Sequence, residues 1–142
     1  MNKVLKEKSP VSPPAVADYM TRAVITFHPG MHVLDAMEVL LRRHISGAPV
    51  VDKRGKLVGI LSEKDCMQTL LHSSYYRELG GLVEEFMTRE VQTVDSSTSI
   101  VTAAELFMSC SYRRFPVVDG GRLVGLISRR DILKAIQELR EA

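Results

Sequence analysis

Apolar residues follow two rhythms along the chain, and the same succession of rhythms occurs twice. Val33, Leu34, Met37, Leu40 and Leu41 fall at helical spacing, as do Ile100, Ala103, Ala104 and Phe107, so each set predicts an amphipathic helix with one face on a core. Ahead of them, Val24 to Phe27 and Val91 to Val94 are short β-branched runs that end in turn-formers, Pro29-Gly30 and Ser96-Ser97. They predict two first strands. Behind the helices, Ala48-Pro49-Val50-Val51-Asp52 and Phe115-Pro116-Val117-Val118-Asp119 lead through Lys53-Arg54-Gly55 and Gly120-Gly121 into second apolar runs ending at Ser62 and Ser128. Two short apolar runs around a glycine turn predict a β-hairpin. Closing helices are expected from Glu63 and from Arg129, so the unit reads β-α-β-β-α.

The two units are copies. A shift of 67 places aligns Met20 through Asp52 with Met87 through Asp119, with 11 identities in 33 pairs. A shift of 66 continues the match from Gly55 through Asp65 onto Gly121 through Asp131, with 6 identities in 11 pairs. Chance gives about one match in sixteen, so the chain is an internal duplication. The expected organisation is a flexible N-terminal arm over 1–14, repeat 1 over 15–72, a linker over 73–82 and repeat 2 over 83–142. The arm is assigned from Lys3, Lys6, Lys8, Pro10, Pro13 and Pro14, which interrupt any apolar period.

Composition narrows the function. The 142 residues are 45% hydrophobic and 25% charged, the balance of a globular protein able to bury a core. A net charge of +2 lacks the concentrated basic face of a nucleic-acid binder. No apolar run approaches the roughly 20 residues needed to span a bilayer, and the Lys-bearing start does not resemble a signal peptide. A cytoplasmic protein is expected, with neither nucleic acid nor membrane as partner. Cys66 and Cys110 show no ligand-like spacing and read as buried thiols. His28 and His32 are separated by Pro29 and Gly30, which breaks the helix a metal pair at that spacing requires. No metal site is expected.

The chemistry-bearing motif is duplicated as well. Ser62-Glu63-Lys64-Asp65 and Ser128-Arg129-Arg130-Asp131 stand where a hairpin passes into a helix. A serine followed three places later by an acid is a capping-box arrangement that satisfies the free amides of a helix start. The same groups suit a ligand: a helix start attracts phosphate, and a carboxylate accepts hydrogen bonds from ribose hydroxyls. Gly59 and Gly125, inside the preceding strands, permit close approach of either a backbone or a ligand. Both readings stay open on this motif alone.

The repeated pattern Pro-Val-Val-Asp, then Leu-Val-Gly-x-x-Ser-x-x-Asp, resembles the CBS domain, over both copies from about Ala15 to Leu139. The resemblance implies an α+β fold, a tandem CBS-domain pair or Bateman module whose two β-α-β-β-α repeats are related by a pseudo-twofold axis. It further implies a stand-alone, non-catalytic regulatory sensor that binds AMP, ADP, ATP or S-adenosylmethionine in clefts between the repeats. A homodimer and a target protein acted on in trans are implied too. Each cleft would pair the Ser-x-x-Asp of one copy with the first strand and pre-proline stretch of the other. One cleft would then be built from Ser128, Arg129, Arg130 and Asp131 with Val24, Ile45, Gly47, Ala48 and Pro49. Its mate would combine Ser62 and Asp65 with Val91, Tyr112, Arg114, Phe115 and Pro116.

The walls of these clefts differ, Ile45 to Ala48 being small where Tyr112 to Phe115 is bulky and basic. Small residues leave room for adenine, and Arg129 and Arg130 offer guanidinium groups to phosphate. The Ser128/Asp131 cleft is therefore the expected preferred site. Against this, Arg129 and Arg130 read equally well as solvated surface, and Phe115 as a core aromatic. The helix after Ser128 offers Ile132, Leu133, Ile136 and Leu139 as a contact face. The alternative function is a ligand-free structural adaptor or dimerisation module, with the Ser-x-x-Asp pairs acting only as caps. Catalysis is not expected, because no nucleophile and base, or paired acid and base, can be assembled.

Overall fold

Each copy folds as a helix, an antiparallel hairpin and a second helix in the computed structural model, which describes residues 13–72 and 79–141. Copy 1 contributes α1 (Val33–Arg43), β1 (Gly47–Val51), β2 (Leu57–Ser62) and α2 (Glu63–His72). Copy 2 opens with the short α3 (Val83–Phe86) and continues through β3 (Val94–Asp95), α4 (Ile100–Met108), β4 (Arg114–Asp119), β5 (Arg122–Ser128) and α5 (Arg129–Glu141). Val33, Ala36 and Leu40 of α1, and Ile100, Ala103 and Phe107 of α4, face inward, whereas Leu41 of the predicted stripe is 74% exposed. No helix among the described residues is long and apolar enough to cross a membrane. Of the predicted arm and linker, 1–12 and 73–78 lie outside the described residues. Pro14, assigned to the arm, is anchored: its carbonyl accepts from the Ile100 amide at 2.9 Å.

The predicted first strands shrink to their last residues, and proline is the reason. Phe27 donates its amide to the Pro49 carbonyl at 2.9 Å and accepts from the Val51 amide at 2.9 Å, forming an isolated parallel bridge opposite Val50. Continuing that ladder toward Ile25 would require an N–H from Pro49, which has none. Copy 2 repeats the arrangement, with Val94 opposite Val117 and Pro116 one residue upstream. The residues before Phe27 and Val94 are thus released from their own sheet.

These released segments cross to the other copy. Thr21 exchanges backbone hydrogen bonds with Leu126 of β5, at 2.8 and 2.9 Å, and Thr88 does the same with Ile60 of β2, at 2.9 and 2.8 Å. Ala15 bridges Ser99, and Leu82 bridges His32. The cores follow this exchange: Val16 is fully buried with Val94, Phe107, Phe115 and Ile127 of copy 2, while Val83 and Met87 are buried with Phe27, Leu40 and Leu61 of copy 1. Between the hairpins, Leu57 donates to Gly121 O at 3.1 Å and Leu123 to Gly55 O at 3.0 Å. The two glycines have φ of +83° and +82°, a left-handed backbone that side chains disfavour. The matched bonds trace a pseudo-twofold axis between the copies.

Gly59 and Gly125 serve this crossing. A Cβ at Gly59 would lie 2.8 Å from Thr88 O, and one at Gly125 would lie 2.7 Å from Thr21 O. Each strand glycine thus admits the backbone of the crossing segment together with its methionine side chain, Met87 at Gly59 and Met20 at Gly125.

The two cysteines differ in their surroundings. Cys66 is buried in the copy 1 core, where burial first, and then the charges of Asp65 and Glu63, push its thiol up. Cys110 is half-buried and donates to Leu106 O at 3.3 Å. Because the thiolate is the reactive form, Cys110 is expected to react with a disulfide reagent in the native protein while Cys66 reacts only on unfolding. Peptide mapping after a short labelling pulse checks this; equal labelling would contradict it.

Candidate functional site: a cleft between the copies

Both Ser-x-x-Asp motifs form reciprocal capping boxes. The Ser62 amide donates to Asp65 Oδ2 at 2.9 Å and Ser62 Oγ accepts from the Asp65 amide at 3.1 Å. Ser128 and Asp131 repeat this at 2.9 and 3.2 Å. The capping function is therefore present in both copies, and the difference between them lies in what else each aspartate meets. Asp65 is partly exposed and accepts from the Thr88 hydroxyl, at 3.0 Å on Oδ1 and 3.3 Å on Oδ2. Asp131 is 8% exposed, and among the described residues Thr21 makes no matching bond to it. The crossing segment of copy 2 thus helps to orient Asp65.

The residues assigned to the second cleft come together. Ser62, Asp65, Val91, Tyr112, Arg114, Phe115 and Pro116 all line one cavity of about 240 Å³, with Ile60, Thr88, Glu90 and Gln92. A second cavity of about 160 Å³ shares Ile60, Ser62, Arg114 and Pro116 with it, so the two are adjoining parts of one cleft. Together they reach the size range of small-ligand pockets, about 300–1,000 Å³.

The residues assigned to the preferred cleft are distributed differently. Gly47, Ala48 and Pro49 line the 160 Å³ cavity with Ser62 of copy 1 and Leu126 of copy 2. Val24 lines a third cavity, of about 250 Å³, with Arg22, Val51 and Gly125. Ile45 packs on the copy 1 core and Ala48 is part of it. None of these three cavities is lined by Ser128, Arg129, Arg130 or Asp131. Of the small wall expected to make room for adenine, Ile45 and Ala48 take part in core packing, and Ser46, Gly47, Ala48 and Pro49 line the 160 Å³ cavity.

The bulky wall is held open by its own contacts. Phe115 is buried against Phe107, with ring centroids 4.7 Å apart, and forms a T-shaped pair with Tyr112 at 5.7 Å. Tyr112 remains 54% exposed. Arg129, expected to meet phosphate, donates Nε to Tyr112 O at 3.1 Å, and its amide donates to Arg113 O at 3.1 Å. It braces the wall of the Ser62/Asp65 cleft. Arg130 is exposed. Of the predicted contact face on α5, Ile132 turns into the core, and Leu133, Ile136 and Leu139 stay exposed.

Thr88, Glu90 and Gln92 are cleft residues that the sequence reading missed. Thr88 had a signal, being identical to Thr21 under the repeat alignment. Glu90 and Gln92 replace Ala23 and Ile25, so only the tertiary structure marks them.

Comparison with known proteins agrees with this architecture. CBSX2, from Arabidopsis thaliana, solved in complex with AMP, superposes with a TM-score of 0.74 at 31% identity, covering 89% of this chain and 98% of that one. The CBS domain pair of protein MJ0100, in complex with 5′-methylthioadenosine and S-adenosyl-L-methionine, superposes at 0.69 with 28% identity, covering 89% and 98%. Uncharacterized protein MJ1225 of Methanocaldococcus jannaschii is 29% identical over 121 residues, 85% of this chain, which spans only 42% of that relative's length. The CBS domain model matches residues 16–72 and again 83–138, and the chain therefore belongs to the CBS-domain family as a tandem pair.

Proposed function

We propose that this protein is a non-catalytic, cytoplasmic regulatory module that binds an adenine nucleotide or S-adenosylmethionine in the Ser62/Asp65 cleft and passes its occupancy to a partner protein. The observation that carries the reading is the single cavity lined by Ser62 and Asp65 of copy 1 and by Tyr112, Arg114 and Pro116 of copy 2. A ligand there touches both copies, so its binding energy acts on their relative placement. A ligand shifts an equilibrium only between states that it binds unequally, and two copies joined across a cleft supply such states. The complexes of CBSX2 with AMP and of MJ0100 with S-adenosylmethionine and 5′-methylthioadenosine support the ligand class. Both aspartates serve as hydrogen-bond acceptors within the protein, Asp65 from Ser62 and Thr88, and Asp131 from Ser128. The exposed Leu133, Ile136 and Leu139 on α5 supply the face for a homodimer.

The test separates ligand binding from capping. A ligand at 100 times its dissociation constant stabilises by about 2.7 kcal/mol, so a thermal-shift series with AMP, ADP, ATP and S-adenosylmethionine is expected to show a rise for at least one. Asp65→Asn removes the carboxylate but keeps an acceptor for the Ser62 amide. Calorimetry on that variant is expected to show affinity lowered by roughly tenfold or more, the value of a hydrogen bond to a charged group, with the fold retained. Asp131→Ala is expected to lower stability through its lost cap by about 1 kcal/mol, with little change in affinity. Unchanged affinity in Asp65→Asn would leave capping as the motif's role and favour the adaptor reading.

A further inference from the structure

We infer that the Ser62/Asp65 cleft selects its ligand by charge, taking adenosines whose 5′ group carries no net negative charge and turning away polyphosphates, with Glu90 as the specificity-determining residue. The inference rests on the ligand-binding reading above and narrows it. Among the described residues lining the cavity, the carboxylates of Asp65 and Glu90 face a single cation, Arg114. Two amides at the start of α2, which would otherwise attract phosphate, have protein partners: the Glu63 amide donates to Ser46 O at 2.9 Å and the Asp65 amide to Ser62 Oγ at 3.1 Å. Arg89 and Arg129 do not line the cavity, and each donates to a backbone carbonyl, Glu84 O at 3.2 Å and Tyr112 O at 3.1 Å.

A chain of phosphates would thus bring several negative charges to two carboxylates and one guanidinium. Like charges brought together across an interface disfavour the complex. A thioether adenosine brings none. A sulfonium adenosine with an amino-acid tail brings a sulfonium and an ammonium for Glu90 and a carboxylate for Arg114, with the exposed Tyr112 ring available to a cation. Glu90 and Arg114 replace Ala23 and Gly47 of the other copy, so this charge pair belongs to the one cleft and not to the duplicated frame.

Calorimetry on the full chain in magnesium-free buffer, with 5′-methylthioadenosine, S-adenosylmethionine, S-adenosylhomocysteine, AMP, ADP and ATP, tests the selection. The thioether and sulfonium ligands are expected to bind at least about tenfold more tightly than ATP, each added phosphate weakening affinity, and added salt is expected to narrow the gap by screening. Glu90→Gln, an exposed position, is expected to narrow the gap between ATP and 5′-methylthioadenosine by roughly threefold, the scale of one exposed charge interaction. ATP binding as tightly as 5′-methylthioadenosine, or a gap unmoved by Glu90→Gln, overturns the inference. Preference that survives intact in Asp65→Asn overturns its assignment to this cleft. No binding by any of the six overturns the sensing reading itself.

Discussion

Val16→Asp is expected to destabilise copy 2, although Val16 belongs to copy 1 in the chain. The side chain is fully buried among Val94, Phe107, Phe115 and Ile127, so aspartate there would place an unpaired carboxylate in an apolar core. An uncompensated buried charge costs about 3–5 kcal/mol, a large share of the 5–15 kcal/mol that holds a domain folded. Hydrogen exchange is expected to lose protection first in α4, β4, β5 and α5. Val83→Asp, at the matching position of the duplication, is expected to act on α1, β1 and β2, because Val83 is buried in the copy 1 core. Each copy's first buried valine supports the other copy's core. Wild-type melting of Val16→Asp, or protection lost first in β1 and β2, would show that the crossing segments do not support the cores they enter.

Gly59→Val joins the fold to the cleft. The new Cβ would stand 2.8 Å from both Met87 Sδ and Thr88 O; the methionine can yield, but the carbonyl is held by the Ile60 amide at 2.9 Å. Relief therefore requires Thr88 to move, and overpacking of this kind costs about 3 kcal/mol. For a chain of this size that corresponds to a fall in Tm of roughly 10 °C. Moving Thr88 also withdraws its hydroxyl from Asp65, so ligand affinity is expected to fall at a temperature where the variant is still folded. Gly125→Val is the matched control: its Cβ would stand 2.7 Å from Thr21 O, giving a similar loss of stability. The described hydrogen bonds from Thr88 to Asp65 lie on the other side of the pseudo-twofold axis, so ligand affinity is expected to be retained. Calorimetry on both variants below their melting temperatures compares them; equal effects on affinity would remove the proposed role of Thr88 in orienting Asp65.

What could be read directly from the residues is what depends on near neighbours along the chain. The helix stripes, the hairpins turning at Gly55 and Gly121, the paired Ser-x-x-Asp caps and the duplication itself rest on local periodicity and turn chemistry. The shortened first strands were also within reach, since Pro49 and Pro116 each remove the donor that a longer parallel ladder needs. The assignment of Ser62 and Asp65 to one cleft with Tyr112, Arg114 and Pro116 came through resemblance to a family, and those residues line one cavity.

That Ser62 and Asp65 line the 240 Å³ cavity with Thr88, Glu90 and Gln92 was not legible in the sequence. Ile45 to Ala48 suggested room because the residues are small, yet small residues let neighbouring elements close in, and here Ile45 and Ala48 are drawn into the copy 1 core. Tyr112 and Arg114 suggested obstruction, yet Tyr112 leans on Phe115 and has its carbonyl held by Arg129, leaving space beside Ser62. Glu90 carries no mark in its local sequence either. Side-chain volume is a property of the residue, whereas free volume depends on what the rest of the chain places against it. The sequence alone determined two similar units with matching helix caps; the exchange of their leading segments, through contacts remote in the chain, decided which unit supports which core and brought Thr88 to Asp65.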